Sequence, residues 1–494
     1  MREVTVENGK ILGVPCGWPS ITAFYGIPYA APPTGKLRWR APEPAADWKG
    51  VRDCARASAR CYQLGVGKGS FYEKEFYPCE EEMSEDCLYL NVWTPAQSAD
   101  EKLPVLFWIH GGAFMTGYGH SAHFDGEHFA RKGVILVTVN YRLNIFGWMV
   151  HPELDSENEY GISGNYGLLD QIAALRWVRR NIASFGGDPD QITLAGQSAG
   201  ACCVQALVCS PLTKGLYAKA IMQSGGGLSP FPDMEFPYLK KAEERTSLAA
   251  LGVSSIEEAR ALSGAELLKR WKETMPGPEL QRGPVVDGYV LEKSMVDCCR
   301  AGETPKMPCL IGYTAMEGLV FARDRGHLEQ VMQDALGDKA GNYLALCPQD
   351  GPEFAEYQKA MATELLQSAA EGFAELRERQ GKGETFIYSL ERMLPGDDMG
   401  PFHAADLWYV FRTLMRSWRP WEGADYLLAD ACNTYWANFV KYGTPNGEGD
   451  NAFPKWEPYR AKQPLTMRLD QQIEMFQRPG NARVQCRKTD LTAE

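Results

Sequence analysis

The chain has 494 residues, with 51 Lys and Arg against 63 Asp and Glu, giving a formal net charge of −12. Hydrophobic residues make up 45% and aromatics 11%, enough for a large core, while 49 Gly and 31 Pro stay short of a low-complexity tract. Collagen-like, coiled-coil and disordered classes are thereby excluded, and an acidic chain without basic blocks argues against nucleic acid as a partner.

The first fifteen residues, MREVTVENGKILGVP, place charges where the apolar core of a signal peptide would sit. The apolar runs that follow are strand-length, far below a membrane span. A soluble protein in the cytoplasm is the expectation. The 14 cysteines include no C-x-x-C pair, so zinc ribbons and thioredoxin-like redox sites have no support. The acidic run Glu80-Glu81-Glu82 reads as a solvated face.

Strand-length apolar runs recur along the chain. Val105–Ile109 ends in a glycine-rich loop, Val134–Val139 ends in Asn140-Tyr141-Arg142, and Gln191–Ala195 ends in Gly196. Ala220–Gln223 leads into Ser224-Gly225-Gly226-Gly227, and Cys309–Ile311 into Gly312. Such runs suit strands buried on both faces of a parallel sheet. Between them, Leu168–Ser184 sets Leu169, Ile172, Ala173, Leu175, Trp177 and Val178 at helical spacing, with Arg176, Arg179 and Arg180 free to face water. Tyr238–Lys272 and Pro352–Gln380 read as mostly helical insertions. The fold class is α/β, a mostly parallel sheet with helices on both faces, and without repeats or a Pro/Ser-rich linker we read one domain.

The sharpest motif is Gly196-Gln197-Ser198-Ala199-Gly200, set between the strand Ile192–Ala195 and a helix predicted over Ala199–Leu207. A serine on such a tight turn is held out of the sheet in a strained conformation. Serine is a weak nucleophile alone and needs a base, with a third group to orient that base. After this motif the chain order is acid, then histidine. Of the seven histidines, only His327 and His403 follow Ser198. His327 lies in a charged stretch that suits water, whereas His403 precedes the apolar Leu407-Trp408-Tyr409-Val410-Phe411. The acid must fall between Ser198 and His403, and Glu317, just past the strand at Cys309–Tyr313, is the candidate. Asp324 sits between Arg323 and Arg325, which suggests a solvated ion pair, and Asp287-Gly288 reads as a turn.

Negative charge develops on the carbonyl oxygen during acyl transfer. His110-Gly111-Gly112-Ala113-Phe114, after the strand Val105–Ile109, can turn the N–H groups of Gly112 and Ala113 inward, and Ala199 supplies a third donor at a helix N-terminus. Together these three form a candidate oxyanion hole. His120, His123 and His128 invite a metal, but their Ser, Ala, Phe and Asp-Gly neighbours read as a polar surface loop, and no metal is expected. No phosphate-binding glycine motif follows a strand, so no cofactor is expected.

These residues resemble the type-B carboxylesterases, which include cholinesterases and bacterial para-nitrobenzyl esterases. The blocks Phe24–Trp39, Glu85–Pro95, Trp108–Phe114, Asn140–Gly147, Gly164–Gly200, Gln223–Gly225, Pro284–Gly288 and Tyr435–Asn446 carry the likeness, over about residues 24 to 459. The resemblance implies one α/β-hydrolase domain over 1–494, helical insertions around a gorge, and a Ser–His–Glu triad. It also implies a supporting hydroxyl at Ser224. The residue before the nucleophile is often Glu in the family; here it is Gln197. Where cholinesterases place a tryptophan for cationic head groups, this chain offers Tyr77, beside Phe76 and Pro78, and with Phe114 these are candidate pocket residues. Both changes weaken attraction for a cation. The expected function is hydrolysis of neutral carboxylic esters, small molecules, through an acyl-enzyme on Ser198. The alternatives are a catalytically silent binding or adhesion relative, and a hydrolase with amidase, lactonase or lipase preference. Cys61 and Cys87 stand where secreted relatives form a bridge, and both are expected as thiols.

Overall fold

Backbone N–H and C=O groups inside a protein must pair with each other, and runs of Val, Ile and Leu bury best in ladders covered on both faces. The chain follows that rule. The computed structural model describes residues 2–77, 81–228, 236–237, 248–274, 283–319, 322–449 and 452–493. It divides into two compact units, 1–194, 210–218 and 235–294 in the first, and 195–209, 219–234 and 295–494 in the second.

The first unit holds strands β1 (Thr22–Pro28), β2 (Tyr89–Thr94), β3 (Leu103–Ile109), β4 (Ile135–Val139) and most of β5 (Gly187–Gln197). They lie in the order β5-β3-β4-β2-β1, with β3 and β4 parallel (Val105 opposite Ile135) and β2 antiparallel to both β4 and β1. Every residue of β4 is buried, as its unbroken apolar run requires. Helix α1 (Tyr166–Asn181) realises the predicted Leu168–Ser184 segment, with one difference. Its buried face includes Asp170 and Gln171, while Leu169 and Ala173 are only partly covered. The reason is Arg142, whose guanidinium makes a bidentate pair with Asp170 at 2.6 and 2.8 Å, both side chains fully buried. Apolar periodicity cannot reveal a charge turned inward by a partner 28 residues away. Of the expected helical region Tyr238–Lys272, residues 238–247 lie outside the described ones; residues 248–255 are turns, and helices Ile256–Ala261 and Gly264–Thr274 follow.

The second unit takes the end of β5, Ala195–Gln197, and adds β6 (Lys219–Gln223), β7 (Cys309–Thr314), β8 (Thr385–Leu390), β9 (Leu465–Leu469) and β10 (Glu474–Gln477). β6, β7, β8 and β9 are successive parallel neighbours, and β10 closes the edge antiparallel to β9. Helix α2 (Ala199–Cys209) starts immediately after Ser198, α3 (Gly351–Arg379) fills the predicted Pro352–Gln380 segment, and α4 (Gly423–Tyr442) follows His403. Aromatic residues carry much of this core. Tyr388 meets Trp436 edge-on at 5.0 Å, and Trp436 lies 6.0 Å from Trp456.

Candidate active site

β5 ends at Gln197 and α2 begins at Ala199, so a single residue turns the chain from strand into helix. That residue is Ser198, with φ of 56°, a left-handed backbone unusual for a side chain of its kind. The turn is pinned: the Ser198 N–H donates to the carbonyl of Gln223 at 2.8 Å, and the Cys202 N–H donates to the carbonyl of Ser198 at 3.1 Å. Gly225 packs so closely that a Cβ there would stand 2.5 Å from the Ser198 backbone carbonyl oxygen, so only glycine fits. Ala199 is the first residue of α2, and its N–H has no partner within the helix.

Glu317 lies three residues beyond β7 and is fully buried. One carboxylate oxygen, Oε1, accepts from the Ser224 hydroxyl at 2.8 Å and from the Thr314 N–H at 2.7 Å. The other, Oε2, faces Nδ1 of His403 in a short hydrogen bond. The backbone repeats the link, since the His403 N–H donates to the carbonyl of Glu317 at 3.2 Å, and the Glu317 N–H donates to Thr363 Oγ1 at 3.1 Å. With Oε1 filled by two donors, Oε2 is left to accept from the ring, which fixes the imidazole proton on Nδ1. Nε2 is then bare and basic. Its polar neighbour is the Gln197 carboxamide nitrogen, at 3.2 Å.

Behind the Ser198 turn lies a polar group that sequence reasoning missed. Asp406 is fully buried three residues after His403, and its Oδ2 accepts from Gln223 Nε2 at 2.8 Å and from the Tyr388 hydroxyl at 2.5 Å. Burial raises its carboxyl above the usual range, against the pull of those two donors. Trp436 Nε1 donates to Gln223 Oε1 at 2.9 Å, so the residue whose carbonyl holds Ser198 is itself locked at both ends of its side chain. An Asp three positions past the histidine was the available signal, but its partners are 18 and 183 residues away.

In the first unit, the His110–Phe114 turn is built from consecutive left-handed residues: Gly112 at φ 108°, Ala113 at 52° and Phe114 at 60°. A Cβ on Gly112 would stand 2.2 Å from the Thr116 carbonyl. Ala113 is exposed, while the Phe114 ring is buried against Trp148 at 5.2 Å. Phe76 is buried against His123, and Tyr77 is partly covered 6.1 Å from Tyr118. Pro78 and Glu80 lie outside the described residues; Glu81 and Glu82 are exposed.

The expected polar surface loop around His120, His123 and His128 is a correction. His123 is buried, and His120 and His128 are partly so. The loop turns inward because its aromatic residues, such as Phe124 at 5.4 Å from Trp108, need cover. Burial pushes His110 and His120 down to about 4 and His123 to about 3. Among the described residues, no group of three or more His, Cys, Asp or Glu is placed to hold a metal ion.

The competing acids have other work. Asp324 caps the helix Arg325–Leu336, accepting from the His327 N–H at 2.8 Å, and its pair with Arg323 is exposed. Asp287 accepts from the N–H groups of Tyr289, Val290 and Leu291, as a turn residue does. Cys61 and Cys87 are both free, buried and in hydrogen-bond contact with each other. No helix among the described residues is long and apolar enough to cross a membrane.

Comparisons with known proteins show the family and the fold. A family model described as the carboxylesterase family matches residues 1–345 and 348–487. The chain is 34% identical to the fumonisin B1 esterase of Sphingopyxis macrogoltabida over 475 residues, covering 91% of this chain and 84% of that protein. It is also 34% identical to the para-nitrobenzyl esterase of Bacillus subtilis (strain 168) over 501 residues, covering 98% and 97%. A solved PNB esterase structure superposes with a TM-score of 0.86 at 31% identity, covering 98% of this chain and 99% of that one. The α/β-hydrolase architecture expected from the motifs is the one these neighbours share with the chain.

Proposed function

The chain belongs to the carboxylesterase family and hydrolyses carboxylic esters, and on that premise we propose that Ser198, His403 and Glu317 carry the reaction and that its substrates are neutral esters. The observation that carries the assignment is the occupancy of the Glu317 carboxylate. Ser224 and Thr314 fill Oε1, and the His403 Nδ1–H fills Oε2. That leaves a bare Nε2 next to the residue pair Gln197-Ser198.

Ser198 Oγ attacks the ester carbonyl while its proton passes to Nε2 of His403. Glu317 stays charged and stabilises the imidazolium, and the proton then moves to the departing alcohol oxygen. Water repeats the sequence on the acyl-enzyme. The Ala199 N–H serves the oxyanion from the start of α2. Gly112 and Ala113 are assigned as the other two donors on the family pattern of their sequence block, and Phe76, Tyr77 and Phe114 as pocket residues on the same ground.

Neutral substrates follow from Gln197, uncharged where the family often carries Glu, and from Tyr77 in place of a tryptophan. We further infer one domain, as the family pattern of the sequence implies, acting in the cytoplasm on small-molecule esters. The test compares kcat/KM for p-nitrophenyl acetate and acetylthiocholine in the native chain and in Ser198→Ala. The neutral ester should be preferred, and Ser198→Ala should lower its turnover by roughly six orders of magnitude. A preference for the cation, or full activity without Ser198, would sink this reading.

A further inference from the structure

The two nitrogens of His403 face two different residues, and the mechanism above uses only one of those contacts. Nδ1 faces Glu317, whereas Nε2, the atom that must take the serine proton, lies 3.2 Å from the carboxamide nitrogen of Gln197. Gln197 is 4% exposed and His403 7%, so water competes little for this contact. Proton accounting sets its direction. With Oε1 of Glu317 filled by Ser224 and Thr314, the imidazole proton sits on Nδ1 and Nε2 presents a lone pair. A lone pair needs a donor, and Gln197 turns its NH2 toward it. Among the described residues, Ser198 Oγ makes no hydrogen bond to the imidazole, so Gln197 holds the position that the serine proton must take.

We propose that Gln197 is a positioning residue whose carboxamide NH2 clasps Nε2 of His403 in the resting enzyme and favours the neutral imidazole until the serine proton displaces it. The proposal rests on the Ser198–His403–Glu317 reading. A carboxamide carries two donors and an acceptor on one group, and its terminal torsion is soft. As the Oγ–C bond forms, the carbonyl π pair moves onto oxygen and the Ser198 proton goes to Nε2, displacing the clasp. The soft terminal torsion lets the carboxamide swing aside. When the bond to the leaving alcohol breaks, the proton goes to that oxygen and the NH2 returns to the lone pair. The site gains no charge in this exchange, as a carboxylate at the same place would impose.

The test is the pH dependence of kcat/KM for p-nitrophenyl acetate in the native chain, Gln197→Met and Gln197→Glu. Both variants are close to glutamine in length, and labelling by a fluorophosphonate at Ser198 reports that the site is formed. A donor to bare Nε2 favours the neutral imidazole, so its loss in Gln197→Met should move the midpoint of the acid limb upward. The carboxylate of Gln197→Glu favours the imidazolium directly and should move that midpoint further, by about one pH unit or more. A midpoint that stays or falls in either variant, or the reverse order between them, overturns the proposal. Failure of the native chain to label at Ser198 would instead overturn the nucleophile assignment beneath it.

Discussion

Burial treats histidine in two ways in this chain. In the first unit, His110 stacks on Tyr141 at 4.5 Å, His120 lies against Tyr118 at 4.5 Å, and His123 sits between Phe76 and Phe124. Among the described residues, His110 Nε2 and His120 Nδ1 have no hydrogen-bond partner, and desolvation keeps all three rings neutral down to about pH 4 or below. In the second unit, His403 is as well covered but faces a carboxylate that holds two further donors. An imidazole with no carboxylate against it is packing. One whose charged form has been provided for in advance can act as a base. Depth of burial does not separate the two; the anion beside the ring does.

The strongest way to break this contrast is Glu317→Gln. The amide oxygen must face Ser224 and Thr314, which turns the NH2 toward Nδ1 of His403 and pushes the ring proton to Nε2. His403 then becomes a buried histidine with no anion, like those of the first unit. We expect kcat to fall by about four orders of magnitude with the fold intact, as the wrong tautomer does in other triads. Retention of even a tenth of the activity would show that Glu317 does not set the tautomer.

A second way works on the other side of the comparison. His123 titrates at about 3 in the folded chain against an ordinary value near 6.5. The folded form therefore binds fewer protons than the unfolded one between those values, so stability is lost as pH falls below about 6.5. Between pH 7 and 5 this single ring accounts for about 2 kcal/mol. His123→Leu, which keeps volume among the surrounding rings, should reduce the acid loss by about that amount in urea titrations at the two pH values. An equal loss in both proteins would show that His123 is already charged or solvated when folded.

Much of the contrast was readable before any coordinates. Chain order alone separated His403 from the five histidines ahead of Ser198, and the apolar run after it pointed to a cleft. Glu317 was legible because a strand end places it. The histidine loop was misread for a physical reason: Ser and Asp-Gly look polar in sequence, but Phe124 packs on Trp108, His123 on Phe76, and Gly126 lies against Trp93, all residues elsewhere in the chain. The support of Glu317 was only partly visible. Ser224 came with the family pattern, whereas Thr363 stands 46 residues away inside α3, where nothing local marks a helical threonine as the partner of an acid's backbone. Tyr388 and Gln223 around Asp406 were hidden likewise, since alternation in a strand gives the face of a residue and not its partner.

Ser224→Ala should give the smallest effect, and it tests the idea of provision in advance most directly. The Ser224 hydroxyl touches neither the ring nor the elbow oxygen; it donates to the far oxygen of Glu317 at 2.8 Å. If it merely filled space, its loss would lower stability and leave kcat alone. If it helps keep Glu317 ionised while His403 gains its proton, the loss should fall on kcat with KM unchanged. A hydrogen bond to a charged group is worth about 1.5–3 kcal/mol, and Thr314 still holds the same oxygen, so roughly a tenfold fall in kcat is expected. A fall in stability with native kcat would place Ser224 with the packing residues and leave Thr314 and His403 as the groups that set the charge of Glu317.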